Sequence, residues 1–373
     1  MNPQPKSLRI LHVMKALGRG GLERVVLDLA SRGRLLGHDH QVLMLMGKPD
    51  DMLGEYVTAG VPVQHLGLTR LAGLATVPGR LRNVASSGRF DIVHGHFPLT
   101  SSIERLARLR SRFRYVFSHH VPPSATVLLT RALHRLTWKL VDHGVCVSAA
   151  VQRDVVRLLG TSVPTTVIDN GIDTRAFTRR RTILQAKREQ GFSPDAPVVG
   201  LVASMRPEKR IDRWLQVAAL VLAWDKRVQF AIVGAGPELG RARALAARLG
   251  IAGSVTFVGR VQDPGVWLEA MDAFLLTSDH EGFGIVVAEA MAMGVVPIVT
   301  AVGPLPEIVQ PAWGVAAPAE PRALASAVVD VLKCPAQHAS MAQEAVRIAR
   351  ERYDVQRMVR RYHEVYASLV LNG

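Results

Sequence analysis

The chain has 373 residues, 48% of them hydrophobic, with a formal net charge of +15. This length favours two domains, and the apolar content is enough for two cores. The absence of any low-complexity tract argues against a disordered chain. No apolar segment approaches the roughly 20 residues of a membrane-spanning helix, and Ile10–Val13 is too short for a signal peptide. With only two, widely separated cysteines, we expect a reducing compartment and therefore a cytoplasmic protein.

The positive charge is the unusual bulk property of the sequence. It favours an acidic partner, either nucleic acid or an anionic lipid surface, and charge alone does not choose between them. Aromatic residues make up only 5% of the chain, and no nucleic-acid recognition module is visible. Nucleic-acid binding is therefore the weaker alternative. No spacing of cysteines or histidines typical of a metal site, and no D-x-D motif, occurs, so we predict no metal site.

The first predicted strand, Leu8–Met14, leads into a glycine turn that includes Gly18, Gly20 and Gly21. A helix is predicted over residues 22–33, with an apolar face. The glycine spacing is not that of a dinucleotide site. Glycine lets a phosphate or a sugar approach the backbone closely, but a tight turn without a ligand explains the same residues.

Two later strands end in histidines. Phe90–His94 is followed by His96, and Tyr115–Ser118 is followed by His119 and His120. Open α/β sheets bind ligands where their strands end, so His96 and His120 are candidate site residues. The alternative is that each is a partly buried, hydrogen-bonded ring.

Two segments of the N-terminal half interleave Arg and Lys with apolar residues. Ser101–Arg114 and Ala125–Val141 are both predicted to be helical. Basic amphipathic helices of this kind can rest on an anionic membrane surface. The alternative is a pair of helices packed on a sheet, with a solvated charged face.

A polar section punctuated by glycine and proline, which contains Arg179–Arg181, is the best boundary between domains. We interpret the arginine run as a solvated linker. We predict an N-terminal domain over residues 1–175 and a C-terminal domain over 176–373, with a final helix at about 355–371 that is free to pack back on the first. Alternating strands and helices predict an α/β protein, with two doubly wound parallel-sheet domains and a cleft between them.

The most informative stretch is Thr277–Glu289, which reads T-S-D-H-E-G-F-G-I-V-V-A-E. A buried strand, a glycine turn and then a helix point free backbone N–H groups at an anion. Glu281 and Glu289 flank that turn, and carboxylates accept hydrogen bonds from sugar hydroxyls. Arg206, Lys209 and Arg210 follow another predicted strand and supply positive charge for a diphosphate. The pattern fits a nucleotide-sugar, although glycine turns are common in every α/β protein.

The C-terminal half resembles the family-four glycosyltransferases, which are retaining enzymes with the two-Rossmann GT-B architecture. The residues that carry the resemblance are the E-x(7)-E motif from Glu281 to Glu289, P-E-K-R-I-D at 207–212, V-G-A-G-P-E at 233–238 and F-V-G-R-V at 257–261. The N-terminal half is similar more loosely, through G-R-G-G-L-E-R near its start and D-N-G-I-D at 169–173.

The resemblance implies roles for particular residues. Glu281 would hold donor-sugar hydroxyls, Glu289 the ribose, and Lys209 the leaving diphosphate without a metal ion or other cofactor. His120 would lie near the reacting carbon, with His119 an alternative one residue away. The further donor-binding residues implied are Gly20, Gly21, Gly282, Phe283, Gly284, Ile285, Val286 and Arg260.

One departure stands out: the family's arginine five residues before the lysine is replaced here by Ser204, and an arginine stands at Arg206. Either Arg206 takes over its role or Lys209 acts alone. We expect transfer from a UDP- or GDP-sugar to a saccharide or lipid-linked acceptor, on a membrane surface, in bacterial surface polysaccharide synthesis. The alternatives are a nucleotide-sugar epimerase and a non-catalytic partner of a true transferase.

Overall fold

The computed structural model describes residues 7–18, 20–47, 52–69 and 71–371. Within these residues the chain forms two compact units. Unit 1 runs up to Gly171 and resumes at Val355, and unit 2 is Ile172–Asp354. The division falls close to the predicted boundary at residue 175. The final helix belongs to unit 1, so unit 2 ends at Asp354 and not at residue 373.

Unit 1 contains a parallel sheet of seven strands among its described residues, in the order β3-β2-β1-β4-β5-β6-β7. The strands are β1 (Arg9–Met14), β2 (Asp39–Met46), β3 (Val63–Leu68), β4 (Ile92–Gly95), β5 (Arg114–His119), β6 (His143–Cys146) and β7 (Thr165–Val167). The helices between them are α1 (Gly21–Leu35), α2 (Leu53–Thr58), α3 (Val77–Ser87), α4 (Pro98–Glu104), α5 (Leu128–Thr137) and α6 (Ala149–Leu159).

Unit 2 repeats this plan with a parallel sheet of six described strands, in the order β10-β9-β8-β11-β12-β13. The strands are β8 (Val198–Val202), β9 (Gln229–Val233), β10 (Val255–Gly259), β11 (Ala273–Leu276), β12 (Val296–Thr300) and β13 (Val315–Ala317). The helices are α7 (Ile183–Glu189), α8 (Ile211–Trp224), α9 (Leu239–Arg248), α10 (Gly265–Leu268), α11 (Ile285–Ala292), α12 (Leu305–Ile308), α13 (Pro321–Lys333) and α14 (Pro335–Arg352), after which α15 (Val355–Leu371) returns to unit 1.

The order of strands reverses once in each sheet. In unit 1 the chain first builds outward from β1 through β2 to β3, and then places β4 on the other side of β1. In unit 2 the same reversal lies between β8 and β11. Loops that leave the carboxyl ends of the two central strands diverge there, which opens a crevice suited to a ligand. The fold thus confirms the prediction of two doubly wound α/β units.

The predicted helix over Ser101–Arg114 is shorter than expected. The α-helix ends at Glu104 and continues as a 3-10 helix to Arg110, because the chain must enter β5 at Arg114, which pairs with Ile92 of β4. Among the described residues, no helix is both long and apolar enough to span a bilayer.

The arginine run at the predicted linker is not simply solvated, contrary to our interpretation. Arg179 donates to the backbone oxygens of Met293 (3.2 Å) and Glu269 (3.0 Å). Arg181 donates through Nε to the carboxylate of Glu269 (2.6 Å), which is only 2% exposed. A buried carboxylate needs such partners, so the run fastens the start of unit 2 to its own core.

Candidate active site

Two loops of unit 2 are fastened to each other at the point where the strand order reverses. The loop after β8 contains Lys209 and Arg210, and the loop after β11 begins at Thr277. The hydroxyl of Thr277 donates to the backbone oxygens of Lys209 (3.1 Å) and Arg210 (3.0 Å). The backbone N–H of Asp279 donates to the oxygen of Glu208 (2.9 Å). These bonds fix the side chains of both loops relative to one another.

Lys209 and Glu281 form an ion pair at this junction, through Nζ and Oε1. Ser278 donates its hydroxyl to the same carboxylate oxygen at 2.8 Å. The two charged side chains are only 19% and 11% exposed, so solvent screens their attraction weakly. Oε2 of Glu281 has no hydrogen-bond partner among the described residues, and it is the oxygen that remains for a ligand hydroxyl.

Arg206 lies in the same loop as Lys209, three residues before it. Its side chain is exposed and forms no ion pair or hydrogen bond with any described residue. Its backbone N–H donates to the oxygen of Ser204 (2.8 Å), which holds the turn closed. The loop therefore presents an unengaged guanidinium next to Lys209, although the usual arginine position is occupied by Ser204.

Arg210, by contrast, is already paired, which corrects its assignment to the phosphate-binding charge. It binds Asp212 (2.8 Å) and Asp279 (3.2 Å), and Arg213 binds Asp279 as well (2.8 Å). Hydrogen bonds from Arg210 lower the pKa of Asp212. Arg210 also adopts a left-handed backbone conformation (φ 51°) immediately before α8. Its role is to shape the loop.

The glycine turn leads directly into α11, as the sequence predicts. Phe283 is buried, 2% exposed, and packs edge-on against Tyr353 with ring centroids 5.4 Å apart. Gly284 is the N-cap and has a left-handed conformation (φ 87°, ψ 56°) that favours glycine. The N–H groups of Ile285 and Val286 begin the helix before its first intrahelical hydrogen bonds, where an anion is favoured.

Replacing Gly284 by alanine should destabilise the protein by about 1–2 kcal/mol, because a left-handed conformation is strained for a residue with a Cβ. The added Cβ would also lie 3.1 Å from a methyl group of Leu305. Chemical denaturation would measure the loss. Gly253, which has open space around it and no positive φ, is the matched control. Equal stability of Gly284→Ala and Gly253→Ala would contradict this view of the turn.

The other predicted donor-binding residues of unit 2 lie around this core of the site. Gly282 and Glu289 are half-buried, the latter within the second turn of α11. Arg260 is exposed directly after β10, and β9 separates that strand from β8. The backbone at Arg260 is therefore two strands away from the loop that carries Lys209.

In unit 1, the structure distinguishes the two adjacent histidines after β5. His119 is 2% exposed and packs edge-on against Phe117 and Trp138 in the core. His120 is half-buried, and its Nε2 lies 3.1 Å from Nδ1 of His96. Burial lowers the pKa of His120 to about 3, so the ring is neutral at pH 7. Of the two, His120 is the one with access to solvent.

The glycines before α1 have a local explanation. Gly20 is the extended N-cap of α1 and Gly21 its first residue. A Cβ on Gly20 would lie 2.5 Å from Oε2 of Glu23, so the glycine makes room for that carboxylate. Arg19, part of the same motif, lies outside the described residues.

Sequence reasoning missed Ser278 and Thr277, which orient Glu281 and lock the two loops together. The signal was present, since two hydroxyl residues directly follow the end of a buried strand.

Comparison with known proteins places both units in families. A model of glycosyl transferases group 1 matches residues 183–348, and a model of glycosyltransferase family 4 matches residues 19–176. An N-acetyl-alpha-D-glucosaminyl L-malate synthase of Bacillus anthracis is 25% identical over 299 residues, 78% of each chain. A D-inositol 3-phosphate glycosyltransferase of Thermomonospora curvata is 30% identical over 286 residues, 67% of this chain and 65% of its relative.

Solved structures agree on the fold. The crystal structure of Anabaena HepE in complex with UDP superposes with a TM-score of 0.86, at 22% identity, over 97% of this chain and all of that one. Two doubly wound parallel-sheet units of this kind form the GT-B fold. The chain belongs to glycosyltransferase family 4, and the predictions of its family, fold and enzyme class are confirmed.

Proposed function

We propose that this glycosyltransferase takes its sugar from a nucleoside diphosphate sugar, UDP- or GDP-linked, and transfers it with retention of anomeric configuration. The observation that carries the proposal is the Lys209–Glu281 pair beside the first turn of α11. The cation and the free helix N–H groups suit an anionic diphosphate, and the carboxylate suits the hydroxyls of a sugar. The Anabaena HepE structures with UDP and with UDP-glucose support this donor chemistry by analogy of fold.

In the proposed reaction, negative charge develops on the diphosphate as it leaves the sugar. The bond between the anomeric carbon and the diphosphate breaks, and a bond to the acceptor hydroxyl forms on the same face of the sugar. The acceptor proton ends on an oxygen of the departing diphosphate. Lys209, assisted by Arg206, stabilises the negative charge on that diphosphate. Because these side chains supply the positive charge, the proposed reaction requires no metal ion or other cofactor. Oε2 of Glu281 accepts a hydrogen bond from a sugar hydroxyl and holds the ring in place.

The donor is tested with purified protein and a panel of UDP-, GDP- and ADP-sugars. One donor should raise the melting temperature, because a ligand that binds only the folded state stabilises it. With acceptor present, that donor should release nucleoside diphosphate even in excess EDTA, and NMR of the product should give the donor's anomeric configuration. Inversion would refute the retaining mechanism. An altered sugar formed without acceptor would identify an epimerase instead.

We further propose that the acceptor is a saccharide carried at an anionic membrane surface. Helix α5, with the 3-10 turn Trp138–Leu140 that continues it, buries Thr130, His134 and Trp138, and its other face exposes leucines. Leu128 is 77% exposed and Leu136 is 80% exposed. The exposed basic residues Arg135 and Lys139 lie beside them. An exposed face that is both apolar and cationic suits anionic lipid.

The earlier helical segment contributes less to such a surface than its sequence indicates. Arg105 is fully buried, and Arg108 is bound to Asp142 by two hydrogen bonds of 2.9 and 3.1 Å. These side chains serve the core of unit 1. The cationic part of the proposed surface therefore rests mainly on α5.

A cavity in unit 1 supports an acceptor with an apolar portion. It has a volume of about 290 Å³ and is lined by Lys15, Met46, Phe97, Leu99 and Val121, together with residues of α5 and its approach. Lys15, Met46 and Phe97 follow or end β1, β2 and β4, so the cavity lies at the carboxyl edge of the sheet. Ligands of doubly wound sheets bind at that edge. Relatives that include the lipopolysaccharide core mannosyltransferase LpsB of Rhizobium meliloti, 34% identical over 152 residues, support a surface-polymer acceptor.

Reversing the charge of α5 should weaken binding to vesicles that contain anionic lipid. Each basic residue near such a surface contributes about 1 kcal/mol, so Arg135→Glu with Lys139→Glu should lower binding at least about 30-fold. Vesicle co-sedimentation at low salt would measure it. Lys226→Glu with Arg248→Glu, both exposed in unit 2, make the same change in net charge. Equal losses in both double variants would argue against a surface on α5.

A further inference from the structure

Five buried or half-buried histidines of unit 1 form a continuous chain of hydrogen bonds, which we call the imidazole chain. Its members, in spatial order, are His363, His40, His12, His96 and His120. Successive ring nitrogens are 3.0, 2.9, 3.1 and 3.1 Å apart. The rings come from α15, from β2 and β1, and from the ends of β4 and β5. The imidazole chain thus crosses the sheet and ends at its carboxyl edge.

A backbone carbonyl fixes the direction of every bond in the imidazole chain. Nδ1 of His363 lies 2.8 Å from the oxygen of Val359, and a carbonyl oxygen only accepts, so this nitrogen carries the hydrogen. A neutral imidazole has one N–H, so Nε2 of His363 accepts from Nε2–H of His40. Nδ1 of His40 then accepts from Nε2–H of His12.

The same argument continues to the end of the imidazole chain. Nδ1 of His12 accepts from Nε2–H of His96, and Nδ1 of His96 accepts from Nε2–H of His120. Each nitrogen has a single permitted role, provided that the rings are neutral. Burial ensures this, because it lowers the pKa of His12 to about 3 and that of His363 to about 4.

We propose that the imidazole chain locks His120 in the Nε2–H tautomer and so leaves its Nδ1 as a hydrogen-bond acceptor for a ligand hydroxyl. Nδ1 of His120 has no partner among the described residues, and it is not one of the buried atoms that lack one, so it reaches the surface. A lone pair there accepts from a hydroxyl and rejects a carbonyl or phosphate oxygen. That the hydroxyl belongs to a sugar rests on the proposed function, whereas the tautomer does not.

A metal ion is the competing explanation for so many histidines. Ring nitrogens of His12, His94 and His96 lie within 4.8 Å of one another. His94, however, already bonds Tyr366 (2.7 Å) and Ser118 (2.8 Å), and both nitrogens of His12 and His96 belong to the imidazole chain. A metal ion would have to displace these hydrogen bonds, whereas neutral imidazole rings with the N–H positions assigned above keep all of them.

The far end of the imidazole chain provides a position for substitution. His363 borders a cavity of about 350 Å³, also lined by His38, Leu36 and Leu371, so changes there need not disturb the middle of the core. His363→Gln places an amide oxygen that still accepts from His40. His363→Phe removes the acceptor and with it the constraint on direction.

The test is long-range ¹H–¹⁵N correlation NMR of the full-length protein labelled in histidine, which shows directly which ring nitrogen carries the proton. His120→Gln assigns the relevant signals. At pH 7, where unit 1 is folded, we expect His120 to be neutral with the proton on Nε2. In folded His363→Phe it should become a mixture of tautomers, and in His363→Gln it should stay fixed. His143→Gln, outside the imidazole chain, is the control.

The outcomes are decisive without any substrate. An Nδ1–H tautomer or an imidazolium of His120 in the unchanged protein would overturn the proposal. So would an unaltered tautomer in folded His363→Phe. If His363→Phe does not fold, the spectrum of the unchanged protein decides alone. Because no donor or acceptor is needed, failure here is distinct from failure of the proposed sugar transfer.

Discussion

Replacing Lys209 by alanine should lower kcat about 10²–10³-fold, the usual cost of losing one group that stabilises developing negative charge. The ammonium lies in a largely buried ion pair with Glu281, fixed by bonds from Thr277 and Ser278. The charge on the diphosphate grows as the sugar leaves, so the lysine contributes most in the transition state. KM for the donor should change less than kcat.

Release of nucleoside diphosphate from the donor found in the panel would measure this effect. Lys209→Arg should retain part of the activity, since the charge remains but the geometry changes. Lys226→Ala is the matched control, because Lys226 is exposed in the loop before β9. That loop lies at the amino ends of the strands, whereas Lys209 follows the carboxyl end of β8. Full activity of Lys209→Ala would refute the proposed role and favour a contribution from Arg206 alone.

Mild acid should unfold unit 1 while unit 2 stays folded. Burial holds the pKa values of the histidines in the imidazole chain below their usual value, so the folded protein binds fewer protons than the unfolded one below about pH 6.5. Stability therefore falls as pH falls. Each such histidine lowers the free energy of unfolding by about 1.4 kcal/mol for every pH unit below about 6.5. Five of them together remove about as much free energy as stabilises a typical domain within one to two pH units.

Two buried acids of unit 1 oppose this trend. Burial raises the pKa of Glu104 to about 7, so its neutral form stabilises the fold as pH falls from 7 towards 4.5. Burial also raises the pKa of Asp28, which acts in the same direction. Two groups do not offset five. Hydrogen exchange measured by mass spectrometry from pH 7 to pH 4.5 would report each unit separately. Peptides of unit 2, whose His280 and His338 lie outside this network, should remain protected. Simultaneous loss of protection in both units would contradict the prediction.

The sequence predicted the fold well because each unit alternates apolar strands with amphipathic helices. The order of buried strand, glycine turn and helix from β11 through Gly284 into α11 was predicted, since a buried run, two glycines and an apolar helix leave little choice. The Lys209–Glu281 pair could not be derived from periodicity. It depends on β8 and β11 being neighbours in the sheet, although 70 residues separate them in the sequence.

The imidazole chain escaped prediction for a related reason. In the sequence, His12 interrupts an apolar strand and His40 lies near the start of another. Taken separately, each looks like an isolated polar residue with no partner. Only the pairing of β1 with β2, which places Ile10 opposite His40, together with the return of α15 to unit 1, brings the rings of His12, His40 and His363 together. A polar residue repeated within several buried strands was the available signal.

The paired state of Arg210 was likewise beyond reach of the sequence. Arg206, Lys209 and Arg210 look equivalent as a basic cluster, and the positions of Asp212 and Asp279 in the folded loops take Arg210 out of it. Side-chain roles at a site depend on such neighbours more than on the motif itself.

The most direct measurement is a crystal structure of the protein with the donor that raises its melting temperature. The diphosphate should lie within hydrogen-bond distance of the N–H groups of Ile285 and Val286 and of Nζ of Lys209, with a sugar hydroxyl bound to Glu281. A diphosphate bound elsewhere, or a Glu281 carboxylate turned away from the sugar, would contradict the proposed site.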